Sequence, residues 1–280
     1  MSLDFSKTTE LLVVARVIGA LEAVAAPLKI DHFLIGATAR DLMTHYAHGV
    51  PIARGTRDVD FAVMVKNWQE YETLRGVLIE GGEFSPRPGT PRHALRHVKT
   101  GMPLDIVPFG GIEGVDRKFA WPPDQNPVFD CFGMSEALET SITVHLPEGV
   151  SVQVPSIPAL VILKIAAWQD RKYTHPGRDA PDLLLYLRSY MDCGNLERAA
   201  EEHSDLFEAD DFDHAEAGVR LIARDIAALV DQSAIERLLV TLVPEADEDG
   251  PLLLAHQSAY ELGGARRLLE VFCDELAGGM

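Results

Sequence analysis

The chain has 280 residues, 47% of them hydrophobic, and a formal charge of -18 from 25 Lys and Arg against 43 Asp and Glu. That length exceeds a stapled mini-domain and fits two domains, and the apolar fraction excludes a disordered chain. Three widely spaced cysteines, Cys131, Cys193 and Cys273, offer neither a disulfide framework nor a C-x-x-C metal pair and suit a reducing compartment.

The first ten residues, with Asp4, Lys7 and Glu10, lack the apolar core of a signal peptide. Residues 8–27 follow with apolar positions at helical spacing, a threonine cap and Pro27 as the stop. Arg16 and Glu22 interrupt the run, and no stretch of the sequence is expected to reach the roughly 20 apolar residues of a membrane span. Residues 32–35 read as a short strand ending at Gly36, and 37–48 as the next helix. A loop rich in Gly, Pro and Arg (49–57) leads to a strand over 58–65. Asn67 caps a helix over 68–79 that Gly81-Gly82 ends. A hairpin of residues 94–99 and 103–109 turns at Thr100-Gly101. Residues 110–133 read as loop, and two more strands fit 141–146 and 150–154. From Ile157 the pattern is helical almost to the end. These elements describe an α+β chain: a mixed sheet flanked by helices over residues 1–155, then an all-helical domain over 156–280.

Asp58 and Asp60 stand two apart on a predicted strand, so both carboxylates leave one face. Like charges on one face repel unless a cation sits between them, and the apolar run after them makes a merely solvated strand end a poor account. Asp105 adds a third carboxylate inside another apolar strand, where an unpaired charge is costly. Were the two strands neighbours, three acids would converge into a site for Mg²⁺ or Mn²⁺; the competing account pairs Asp105 with Arg96 or Arg57. Gly36, between a strand and a helix, exposes backbone N–H groups to a phosphate, and Thr38 could add a hydroxyl.

Gly36-Ala37, Arg40-Asp41, Thr56-Arg57-Asp58-Val59-Asp60-Phe61 and Asp105 resemble the DNA polymerase β-like nucleotidyltransferase superfamily, and within it the abortive-infection, toxin-type branch of type IV toxin–antitoxin systems. Lys164 on an apolar helix, with Arg178-Asp179 and Asp182-Leu183 after it, is similar to that branch's helical motifs. The resemblance spans roughly residues 30–190. It implies a nucleotidyltransferase-like first domain and a helical domain closing the active-site cleft. It also implies a metal-dependent enzyme moving a nucleoside monophosphate from a nucleoside triphosphate to a hydroxyl acceptor. Asp58, Asp60 and Asp105 would hold metal, Asp105 also serving catalysis with Lys164 and Asp179. Gly36, Ala37, Thr38, Arg40, Arg57 and Lys164 would bind the nucleotide. A cognate antitoxin goes with that branch; the absence of a signal peptide or span gives a cytoplasmic location as the expectation. Where the family commonly has Gly-Ser or Gly-Gly, this chain has Gly36-Ala37, which removes one hydroxyl.

The acceptor is constrained by charge. Residues 151–280 carry 11 basic and 24 acidic side chains, whereas 1–110 balance at 12 each. This disfavours RNA in general and favours a cationic small molecule or a protein hydroxyl, while the acid-free basic run 84–99 offers one place for an RNA end. A non-catalytic nucleotide- or partner-binding protein is the third alternative. For Lys164 snorkelling, and for Asp179 and Asp182 helix capping, are the structural alternatives. Trp68 and Trp168 suit helix packing, and Trp121, in a Pro-rich loop, is the better candidate to stack on a base, against hydrophobic anchoring as the default.

Overall fold

The computed structural model describes residues 2–52, 55, 58–123, 125, 127–208 and 212–279. These form two compact units: Met1–Leu42 with Pro51–Ser156, and Met43–Val50 with Ile157–Met280.

The first unit opens with β1 (Ser2–Asp4) and α1 (Leu12–Leu28). Pro27 falls inside the last turn of α1 rather than ending it, and Lys29, at φ 56°, supplies the left-handed residue that does. Thr9–Leu28 has the length and mean hydropathy (20 residues, 2.0) of a membrane span, contrary to the expectation that no stretch would. Its Ala15, Val17, Ile18, Leu21 and Ala25 are fully buried within the unit, as on the inward face of an amphipathic helix, and a third of the apolar window is buried.

There follow β2 (His32–Ile35), α2 (Gly36–Asp41), β3 (Val59–Val65), α3 (Trp68–Glu80), β4 (Phe84–Pro86), β5 (Ala94–His97) and β6 (Pro103–Gly110). The strands make one sheet in the order β2-β3-β6-β5-β4. The central pair, β3 and β6, is parallel, which requires the α3 crossover between them. Asn67 accepts the Glu70 N–H at 3.0 Å as the cap of α3, and the Tyr71 hydroxyl donates to the Ile106 carbonyl at 3.1 Å. That helix therefore lies on the sheet through Tyr71, Leu74 and Leu78. The β5–β6 hairpin turns at Gly101, φ 73°, as its Thr-Gly sequence predicts.

Residues 110–133, expected as loop, contain the ribbon β7 (Lys118–Ala120) and β8 (Val128–Asp130), held by Phe119 stacked on Phe129. Trp121 is 7% exposed and ringed by Trp68, Tyr71, Phe119 and His93. It is an anchor of this cluster and presents no free face to a base. The unit closes with α4 (Met134–Glu139) and the antiparallel pair β9 (Ile142–His145) and β10 (Ser151–Val154), with β1 on the far side of β9.

The second unit is helical: α5 (Ile157–Arg171), α6 (Ala180–Ser189), α7 (Leu196–Glu202), α8 (His214–Leu229), α9 (Gln232–Ala246), α10 (Leu253–Gln257) and α11 (Leu262–Gly278). Here α11 packs on α8 and α9, and α6 on α5 and α8. Asp213, Asp231 and Glu261 cap α8, α9 and α11 by accepting first-turn N–H groups.

Candidate functional site: three carboxylates beside a glycine turn

In the register of β3 with β6, Asp60 lies directly opposite Asp105, and Asp58 immediately precedes β3. Strand alternation then carries the Asp58 carboxylate to the same face. One oxygen from each of Asp58, Asp60 and Asp105 lies within 4.8 Å of the others. All three residues are half-buried, so the cluster opens to solvent while its strands are packed. Three anionic carboxylates this close repel, and hard oxygen donors in a tight, partly hydrated group are the set that a divalent cation of the Mg²⁺ type takes. The donor chemistry fits the ion that the sequence implies.

The neighbouring strand fixes one edge of this cluster. Ile35 of β2 pairs with Asp60, and the next residue, Gly36, sits at φ 73°, where side chains are disfavoured. A Cβ on Gly36 would run into the Asp60 Oδ2 and stand 2.9 Å from its Cγ. Glycine is therefore required twice over: for the turn that starts α2, and for the close approach of the Asp60 carboxylate to the backbone.

Thr38 is 3% exposed, and its hydroxyl donates to the Asp58 carbonyl at 3.0 Å. It ties α2 to the residue before β3 instead of presenting a hydroxyl to solvent. Ala37, half-buried, brings only backbone and a methyl group. Arg40 is 2% exposed, and its Nε and Nη2 donate to Asp41 at 2.8 and 2.6 Å. The side chain that the motif offers as a nucleotide ligand is thus a buried partner of the next residue. Arg57 lies outside the described residues.

Asp105 faces a cation that the sequence did not single out. Arg87 Nη1 stands 3.7 Å from Asp105 Oδ1. His93 lies near both: its buried ring is held below the usual histidine range by desolvation and by Arg87, against Asp105. The remaining charges of the basic run are largely engaged, with Arg92 on Glu72 at 2.7 Å and Lys99 on Glu83 at 2.8 Å. Three of the run's four cations thus meet carboxylates, and the fourth, Arg96, is exposed.

Lys164, Asp179 and Asp182 come together in the second unit. Lys164 Nζ, on α5, lies 3.1 Å from Asp179 Oδ1 and 2.7 Å from Asp182 Oδ2. Arg171 donates to both Asp179 oxygens at 2.6 Å. Burial works to raise the Asp179 carboxyl, but Arg171 and Lys164 outweigh it and hold it at about 2. Two cations face two carboxylates, so Lys164 neither snorkels to solvent nor stands unpaired. Arg171 stands seven residues after Lys164 on α5, two helical turns along one face.

The sequence profile of a family described as nucleotidyl transferase AbiEii toxin, type IV toxin–antitoxin system, matches residues 19–251. No curated protein sequence matches the chain. Among solved structures, the chain is similar to an antigenic nucleotidyltransferase-like protein from Paracoccidioides brasiliensis, at 16% identity over 69% of this chain and 89% of that one, with a TM-score of 0.41. It is also similar to the antibiotic-resistance factor ANT(2'')-Ia, at 13% identity over 70% and 95%, TM-score 0.35. A Thermotoga maritima CCA-adding enzyme complexed with tRNA gives 11% identity over 96% and 80%, TM-score 0.23. These scores are too low to add to the family match.

Proposed function

The chain belongs to the AbiEii nucleotidyl transferase toxin family, and from that premise we propose that it moves a nucleoside monophosphate from a nucleoside triphosphate to a hydroxyl acceptor, with Mg²⁺ or Mn²⁺ held by Asp58, Asp60 and Asp105. The observation that carries this reading is the fit of Gly36 against Asp60 beside three converging carboxylates. Three carboxylates this close repel one another, and a divalent cation among them relieves that repulsion.

Each residue then has a duty. The backbone at Gly36 and Ala37 meets the phosphates, while Thr38 holds the start of β3 so that Asp58 keeps its place. Asp58 and Asp60 bind the ion, which when bound supplies positive charge to the phosphate oxygens. Asp105 orients the acceptor hydroxyl and takes its proton as the new O–P bond forms, and the bond to pyrophosphate breaks. Lys164 is proposed to neutralise triphosphate charge and Asp179 to orient it, and a raised KM for the triphosphate in Lys164→Gln supports that assignment. Arg40 is left with a structural role on Asp41.

The branch makes an RNA end such as that of tRNA one acceptor. The acidic excess of residues 151–280 favours a second reading, a cationic small molecule or a protein hydroxyl, and suits a basic antitoxin as partner. Three free, buried cysteines suit the reducing cytoplasm. The test is label transfer: each α-³²P nucleoside triphosphate is incubated with Mg²⁺ and, separately, total RNA, an aminoglycoside or cell protein. Label on RNA, lost in Asp58→Ala/Asp60→Ala, supports the main reading, and label on another acceptor moves the second ahead. Magnesium-dependent binding with no label on any acceptor favours a non-catalytic nucleotide-binding protein.

A further inference from the structure

Arg87 lies just past β4, in the turn that leads to β5. Its carbonyl accepts both the N–H of Thr90, at 3.3 Å, and the Thr90 hydroxyl, at 2.7 Å, and Gly89 at φ 72° lets the chain reverse there. The guanidinium is therefore delivered from a fixed turn. In the strand order β2-β3-β6-β5-β4, it reaches Asp105 from the side of the cluster opposite Gly36.

The contact is of an unusual kind for an arginine and a carboxylate. At 3.7 Å it is longer than a hydrogen bond, and the arginine side chain is 29% exposed. The Arg171–Asp179 contact, at 2.6 Å to both oxygens with the aspartate 1% exposed, shows what this chain builds when an arginine is to hold an aspartate permanently. Arg87 gives Asp105 charge without hydrogen-bond geometry, and a part-exposed contact of that sort, with side chains 29% and 19% exposed, is weaker than the paired one.

We infer that Arg87 is a placeholder cation: it offsets the repulsion among Asp58, Asp60 and Asp105 while no divalent ion is bound, and competes with that ion for Asp105. The inference rests on the reading of the three carboxylates as a divalent-cation site. It makes Arg87 a positioning residue, one that keeps Asp105 in place for the ion and weakens the ion's hold on it. Release of Arg87 upon loading leaves a guanidinium on the Asp105 side of the cluster.

The experiment is calorimetric titration of Mn²⁺ alone into the full chain, with thermal melting in zero and saturating Mn²⁺, for wild type, Arg87→Gln, Arg87→Met and Arg87→Lys. Both neutral variants are expected to bind Mn²⁺ about three- to fivefold more tightly, the size of a part-exposed charge contact, and Arg87→Lys to resemble wild type. By linkage, both neutral variants melt below wild type without metal, and the gap narrows at saturation. A merely structural arginine would leave the gap the same at both. Neutral variants that bind Mn²⁺ as wild type does, or more weakly, overturn the inference while the metal site stands. A wild type that binds no Mn²⁺ removes the metal site itself, and the inference falls with it.

Discussion

The two aspartate clusters of this chain have the same ingredients and opposite electrostatics. In the helical unit, Asp179 and Asp182 are buried and matched by Lys164 and Arg171 at 2.6–3.1 Å. In the sheet unit, Asp58, Asp60 and Asp105 are half-buried, within 4.8 Å of one another, with Arg87 at 3.7 Å. Carboxylates supplied with close counterions hold helices together. Carboxylates crowded against each other make a donor set that a divalent cation fits. The difference lies in partner geometry rather than residue type, so D-x-D and D-x-x-D patterns mean little until their partners are known.

The sharpest way to break this contrast is to neutralise each cluster in turn. Asp58→Asn/Asp60→Asn should reduce nucleotidyl transfer by roughly 10³-fold or more, because the ion's neutralisation of phosphate charge is lost. Urea denaturation should show no loss of stability, since repulsion has been removed. Lys164→Ala, beside the raised KM for the triphosphate, should cost about 3–5 kcal/mol in the same assay, leaving two buried carboxylates without their lysine. Equal destabilisation by both changes would mean that the clusters do not differ in kind.

Acid sharpens the comparison further. Asp179 is held at about 2, below its ordinary 3.8, so its ionised form is favoured by folding. Its contribution of about 2 kcal/mol is complete above about pH 4 and disappears as the pH falls through about 2. Denaturation midpoints between pH 5 and 2 should therefore fall more steeply for wild type than for Asp179→Asn. The smallest effect is expected at the edge of the open cluster. Gly36→Ala meets the Asp60 carboxylate and an unfavourable φ, costing about 1–2 kcal/mol, and should weaken Mn²⁺ binding with it. An unchanged Mn²⁺ affinity in that variant would detach the glycine turn from the carboxylates.

Much of the open cluster was legible in the sequence because it is local. Alternation about Asp58 and Asp60, the burial of the residues after them and a glycine at a strand-to-helix junction are all properties of short segments. The pairing of Asp60 with Asp105 was not, because a parallel neighbour 45 residues away leaves no local trace, whereas the β5–β6 hairpin announces itself through Thr100-Gly101. Arg87 was hidden for a related reason. In the sequence it is one of four cations in a run, and only the sheet order assigns Arg92 and Lys99 to glutamates and Arg87 to Asp105. Polarity suggests Thr38 as a ligand, but the backbone carbonyl of Asp58 takes its hydroxyl, and Trp121 follows the default of hydrophobic anchoring in a cluster of rings.

The three carboxylates are proposed to form the metal-dependent nucleotide site. Isothermal titration of the four ribonucleoside triphosphates, with and without Mg²⁺, into wild type and Asp58→Ala/Asp60→Ala tests it most directly. Mg²⁺-dependent binding of at least one triphosphate, lost in the double variant, is expected. Binding that is indifferent to Mg²⁺, or that survives in the double variant, would contradict it.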